Sequence, residues 1–287
     1  MTFYRQLSSA VIIAGLFMSC NAVKKKLQNN DSSRYDLLNP YIIKLPDGLA
    51  EISGMAYYSK DTSVFAIKDE DGILYKVSLE QKGVIRQWQF GKKHDFEDVV
   101  LLDSTFYVLI SNGEIETLQF GGGDTIRTGK LKFQKANKAK NEFESMYYDD
   151  SLQQLVLICK NCEGDAKKKV TAMGYNIVTQ VFTPMVYEID VEPIAKKIGM
   201  NKMNFRPSAA AINPATNELY ILASINHLIV VTDRQGRFKD LYELDRGIYN
   251  QPEGLAFTPW GDMIISNEAN EAGLADILIV KNKKKGL

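Results

Sequence analysis

The chain has little of what soft-metal and thiol chemistry needs: 3 cysteines and 2 histidines in 287 residues. A zinc site takes four ligands, and only His94 and His227 could join Cys159 and Cys162, so that chemistry is weakly supported. An excess of one charge is also missing, since Lys plus Arg and Asp plus Glu are 35 each. That balance, with no basic stripe, argues against a nucleic-acid partner. No G-x-S-x-G, H-E-x-x-H or P-loop is present, so the usual nucleophile and phosphate-cradling signatures are excluded. After residue 20 no run of eighteen apolar residues occurs, so no later segment reads as a membrane-spanning helix.

The first twenty residues read as a leader. Arg5 gives the positive end, residues 10–18 (AVIIAGLFM) the apolar part, and Ser19 the small residue before Cys20. This is a secretory signal whose F-M-S-C ending resembles a bacterial lipobox, which makes residues 1–19 the signal peptide and Cys20 the lipidation site. A plain signal peptide is the other reading. Residues 20–39 are polar and read as a tether, and residues 40–287 as one folded domain. Lysine runs at 24–26, 167–169 and 283–285 read as solvated.

The folded part is organised around residues 251–270, QPEGLAFTPWGDMIISNEAN: a glutamate, a small residue, an apolar strand, a turn, a second apolar strand and a polar end. Four relatives of this phrase precede it, and the anchors Glu51, Glu97, Glu144, Ser208 and Glu253 lie 46, 47, 64 and 45 residues apart. The long interval points to an insertion around residues 164–180. A period of 40–50 residues made of strands indicates propeller blades. The expected fold is all-β, a five-bladed propeller of four-stranded antiparallel blades, with residues 41–45 (YIIKL) closing the ring by pairing into the last blade. A six-bladed ring is the alternative, for which a sixth phrase is lacking.

That geometry gathers the anchors around the axis at one face. Carboxylates so crowded cannot all stay ionised without a partner cation. Ser53 (in place of Glu51), Glu97, Glu144, Ser208 and Glu253 are therefore candidate metal ligands, and calcium suits an all-oxygen set. The bland alternative is that each glutamate latches its strand to backbone amides of the next blade. Second-strand ends supply candidate ligand-binding residues Asp69, Asn112, Lys160 and Asn267, joined by Arg206 at the start of the fourth phrase, with Asp69, Glu70 and Glu268 as candidate acid–base groups. Cys159 and Cys162 are left as a local disulfide or two thiols, with redox or metal roles weaker.

The phrases EISGMAY, KDEDG, DFEDVV, EFESMYYD, RPSAAAINPATNELYIL and QPEGLAF resemble the SdiA-regulated family of exported bacterial propellers, over nearly all of residues 45–281. More distantly, the order of Ser53, Glu97, Glu144, Ser208 and Glu253 is similar to that of the calcium-activated apyrases, five-bladed propellers with an axial calcium. That resemblance implies calcium here. The nucleotide-handling side chains of apyrases do not match: Asp69–Glu70 stands where an aspartate–arginine pair is expected, and Lys160–Asn161 where arginines are.

Two functions follow as expectations. One is a monomeric cell-envelope lipoprotein, facing the periplasm, whose calcium-centred propeller binds a small molecule or envelope protein without chemistry. The other is a metal-dependent hydrolase of a phosphoester or lactone.

Overall fold

Each of the five phrases folds as the two inner strands of a four-stranded antiparallel sheet. The structure, a computed structural model, describes residues 34–122, 125–131, 140–165, 168–270 and 273–284. The leader, Cys20 and the lysines at 24–26 lie outside the described residues.

Ahead of the first blade come β1 (Tyr41–Lys44) and a short 3-10 turn at Asp47–Leu49. Blade 1 is β2 (Ile52–Tyr58), β3 (Ser63–Lys68), β4 (Ile73–Ser78) and β5 (Gly83–Gln89). Blade 2 is β6 (Phe96–Leu102), β7 (Thr105–Ile110), β8 (Ile115–Phe120) and β9 (Ile126–Leu131). Blade 3 is β10 (Glu142–Asp149), β11 (Gln154–Asn161), β12 (Lys169–Asn176) and β13 (Phe182–Asp190), followed by helix α1 (Val191–Lys197). Blade 4 is β14 (Ala209–Asn213), β15 (Glu218–Ala223), β16 (Leu228–Thr232) and β17 (Phe238–Glu243). Blade 5 has β18 (Pro252–Phe257), β19 (Met263–Asn267) and β20 (Asp276–Val280) from the C-terminal side, and β1 completes it.

The inner strands β2, β6, β10, β14 and β18 touch in cyclic order, so the ring is closed with five blades. Closure is made by β1 on β20, Tyr41 opposite Ile279 through Lys44 opposite Asp276, as the sequence predicts. A Lys44–Asp276 ion pair of 2.7 Å marks its end. Joining the two chain ends in one sheet leaves no open edge between first and last blade. The apolar strand positions pack between successive blades. Phe65 and Phe106 meet between blades 1 and 2, Val64 and Ile264 belong to the cluster between 1 and 5, and Tyr220 and Phe257 meet between 4 and 5.

Two expectations need correction. The extra length of blade 3 is no insertion at 164–180, because Lys169–Asn176 is the ordinary third strand, paired to β11 and β13. The additional residues lie in longer strands, in α1 and in the connection to Ser208. The Asp190 side chain caps α1 by accepting from Glu192 N (2.9 Å), and Val191, Ile194 and Ala195 bury its inner face. The second correction is at the tether. Tyr35 and Leu37 are buried against blades 4 and 5, and Tyr35 bridges to Asn282. Its hydroxyl donates to Gly261 O (2.7 Å) and accepts from Asn213 Nδ2 (2.7 Å). Two apolar residues in a polar stretch suffice, because their polar atoms are satisfied as well as their rings buried.

Candidate functional site

At the start of four inner strands the ladder slips by a residue. Phe96 pairs with Ile110 and then Asp98 with Leu109; Phe143 pairs with Cys159 and then Ser145 with Ile158; Pro252 pairs with Asn267 and then Gly254 with Ser266. The residues left over are Glu97, Glu144 and Glu253. In blade 1 Ile52 pairs with Lys68 and Met55 with Ala66, which leaves Ser53 and Gly54 opposite Ile67. A bulge re-aims the extra side chain, and here three bulges turn glutamates into the axial cavity. Blade 4 has no such slip; the Ser208 amide donates to Leu222 O at 2.8 Å.

The cavity has a volume of about 650 Å³ and all five predicted metal ligands line it. A second tier lies two residues earlier in every blade: Glu51, Asp95, Glu142, Arg206 and Gln251. Each phrase thus reads polar–apolar–polar (E-I-S, D-F-E, E-F-E, R-P-S, Q-P-E), with Ile52, Phe96, Phe143 and Pro252 buried between the two tiers. Second-strand ends add Asp69, Lys160, Ser224 and Glu268. Eight carboxylates face two basic side chains, Lys160 and Arg206. Blades 1, 2, 3 and 5 supply all eight; blade 4 supplies Arg206, His227 and two serines instead.

The crowding shows in the acidities. Burial, then Asp95 and Asp69, pushes Glu97 up to about 8, against the pull of Lys160. Burial, then Glu253, Asp69 and Glu51, pushes Glu268 up to about 8. Glu253 rises to about 7 through burial, opposed by Ser224, Lys160, Gln251 and Ser208. Asp69 rises to about 6 through burial and the hydrogen-bonded Asp95 carboxyl beside it. Lys160, between the arms of this ring, pairs with Glu142 (3.2 Å) and with Glu144.

Ser53 is buried at the blade 1 bulge, whereas Glu51 stands exposed at the mouth, 3.5 Å from Lys68. Ser208 Oγ accepts from Ser224 N (3.2 Å) and faces Pro252 O (3.4 Å), bridging blades 4 and 5. Asp69, Lys160, Arg206 and Glu268 fall in the cavity as expected. Glu70, Asn112 and Asn267 do not line it. Glu70 pairs with Lys93 at 2.5 Å. Asn112 Oδ1 accepts from Glu114 N at 2.9 Å, a turn contact. Asn267 is buried, donating to Ile248 O and Asp276 Oδ1, both at 3.0 Å. Asp95, Glu142, His227, Asn250 and Gln251 line the cavity without having been singled out from the sequence. For Asp95, Glu142 and Gln251 the signal was there: the two-residue strand period places them on the face of the next anchor.

Blade-to-blade latching falls to Asp98. It is fully buried, with Oδ1 accepting from Val99 N and Oδ2 from Met146 N of the next blade, both at 2.8 Å. Gly54 makes this approach possible, since a Cβ there would lie 2.4 Å from Asp98 Cα. Past Asp98 the channel opens on the opposite face between apolar walls, among them Met55, Val100, Ile212 and Phe257.

Cys159 and Cys162 form a disulfide, closing the turn that carries Lys160. With Asp165 they are the only set of three His, Cys, Asp or Glu ligand atoms within 4.8 Å of one another among the described residues. As a disulfide they offer no thiolate to a metal. The axial carboxylates are spread more widely than that, so they form an open ring.

The sequence profile of the SdiA-regulated family matches residues 41–271. No curated protein sequence matches the chain. Among solved structures, a luciferin-regenerating enzyme aligns with TM-score 0.54 at 11% identity, covering 87% of this chain and 98% of that one. Glutaminyl cyclase of Myxococcus xanthus aligns with TM-score 0.57 at 14% identity, covering 86% and 95%. At these identities the likeness is one of fold. The chain belongs to the SdiA-regulated family.

Proposed function

We propose that this member of the SdiA-regulated family is a cell-envelope lipoprotein, anchored through Cys20 and facing the periplasm as a monomer. Its axial cavity holds a divalent cation and presents it to a small molecule or envelope protein. The observation that carries this reading is the charge imbalance: eight carboxylates, three of them held near or above neutrality, against Lys160 and Arg206. The donors fit a hard ion, with carboxylates at Glu97, Glu144 and Glu253 and hydroxyls at Ser53 and Ser208. No three of those carboxylate oxygens lie within 4.8 Å of one another, so the side chains would draw in to ligate one ion, which calcium's many-ligand, irregular shell accommodates better than magnesium's strict octahedron. The ion would supply a fixed positive charge on the axis. Lys160 holds Glu144 in its absence and competes with the ion for that carboxylate.

Titration of calcium into the purified protein tests this, with Glu253→Gln as the comparison. One site per chain in the wild type, weakened at least tenfold in the variant, is expected. Equal binding by both would remove the axial site.

A second reading, hydrolysis of a phosphoester or lactone, has one observation in its favour. Asp69, at about 6, and Glu268, at about 8, face the open cavity with acidities suited to proton transfer near neutral pH. Glu70 drops out, being tied to Lys93 outside it. If activity in a broad phosphoester and lactone screen were the same for wild type and Asp69→Asn, this reading would be lost.

A further inference from the structure

The face opposite the acidic cavity carries a feature that cation binding does not use. The hairpin of β18 and β19 has Gln251 and Glu268 at its cavity end and the turn of residues 258–262 at the other. At that turn Trp260 is 71% exposed, the most exposed large aromatic among the described residues. The turn holding it is rigid. Gly261 takes a φ of +76°, and a Cβ there would meet Ala215 Cβ at 2.7 Å. Asn282 Nδ2 donates to Trp260 O at 3.0 Å, and Tyr35 donates to Gly261 O at 2.7 Å. Packing does not explain an indole presented outward on so well fixed a turn.

Beside it lie Lys281, Lys283 and Lys284, placed there because Asn282 N donates to Asp262 Oδ1 and Lys284 N to Asn282 Oδ1. Two carboxylates are near, Asp262 on Lys281 at 2.9 Å and Asp36 on Lys283 at 3.8 Å; Asp262 is itself buried. The chain also joins the fold here, at Tyr35, fifteen residues after Cys20. Those fifteen residues can span at most about 50 Å. A lipid on Cys20 therefore keeps this rim within reach of the bilayer.

We propose that the Trp260 rim, with Lys281, Lys283 and Lys284, rests on the surface of a bilayer containing anionic phospholipid, so that the acidic cavity opens away from it. Tryptophan favours the headgroup level, where its ring is half apolar and its N–H stays wet. Lysines next to it are drawn to anionic headgroups. The cavity face, lined mainly by carboxylates, offers no such attraction. The proposal rests on the lipid-anchored reading of Cys20, and its test separates the two.

The full mature chain is reconstituted on vesicles of phosphatidylcholine with a minor share of phosphatidylglycerol, with and without chain-brominated lipid. Trp88→Phe leaves Trp260 as the sole tryptophan; should it fold poorly, the difference between wild type and Trp260→Phe gives the same signal. Mass spectrometry of the N-terminal peptide reads the lipid on Cys20 independently. The expected result is a blue shift of Trp260 emission and its loss on brominated vesicles, both reduced by Lys283→Glu with Lys284→Glu. Emission unshifted and unquenched on lipid-bearing protein would overturn the docked face while leaving the anchor standing. If Cys20 carries no lipid, the anchor reading fails, and the same shift on added vesicles still decides the face.

Discussion

Two neighbouring acids, Glu97 and Asp98, line successive levels of the axial channel and do opposite work. Glu97 is the bulge residue turned into the cavity, where other carboxylates crowd it and Lys160 only partly offsets them. Asp98, one residue on, is deeper, yet each of its oxygens has a backbone N–H. Burial raises the pKa of both. The difference is in what answers the charge. At Asp98 the protein supplies the donors itself, and the group fixes blade 2 to blade 3. At Glu97 it supplies a like-charged ring, an arrangement that a bound cation completes. A buried carboxylate is therefore a latch or a ligand according to its partners, and depth alone does not separate the two.

The largest effect should come from breaking the latch. Asp98→Ala orphans the buried N–H groups of Val99 and Met146, each costing about 1–3 kcal/mol. Melting should fall sharply, while calcium uptake by the folded fraction stays as in the wild type. Loss of calcium binding with unchanged stability would reverse the assignments. The opposite change, Glu97→Gln with Glu253→Gln, removes two crowded charges. In chelator this variant should melt at or above the wild type, and calcium should no longer raise its melting temperature.

The next effect is on pH. Glu97, Glu268 and Glu253 have folded values of about 8, 8 and 7 against an ordinary 4.5. The folded chain thus binds more protons than the unfolded chain between these limits, so stability without cation falls as pH rises from about 5 to 8. Bound calcium should flatten that slope. Melting curves across this range, with and without chelator, check the sign. The smallest effect is expected at Lys160→Gln. Removing the resident ammonium frees Glu144 and should tighten calcium several-fold, read by titration, with little change in melting.

Most of the fold could be read from the chain because the repeat states it five times, down to the closing strand at β1. The inner tier of the cavity was readable for the same reason: Glu97, Glu144 and Glu253 hold one place in a recurring phrase. What the phrase does not reveal is the bulge. A strand period of two sends Glu97 and Asp95 to one face and Asp98 to the other without saying which face meets the axis, and the bulge sets that. Asn112 and Asn267 were misplaced because a strand end offers several polar residues, and only the register decides which one turns inward. Asn267 turns instead toward Ile248 and Asp276. Helix α1 was missed because seven residues give too short a pattern, although D-V-E-P-I-A-K-K has a capping aspartate and an i, i+4 Glu192–Lys196 pair. Tyr35 and Leu37 were lost in a polar stretch, since isolated apolar residues carry no period.

The central claim is that the carboxylate ring is a cation site. Metal content and thermal melting of the purified chain, prepared in calcium and then stripped with a chelator, address it most directly. One calcium per chain is predicted, with a melting temperature that falls on stripping and returns with calcium but not with magnesium. No bound metal, and melting unmoved by the chelator, would contradict it and leave Lys160 and Arg206 as the counter-charge the ring requires.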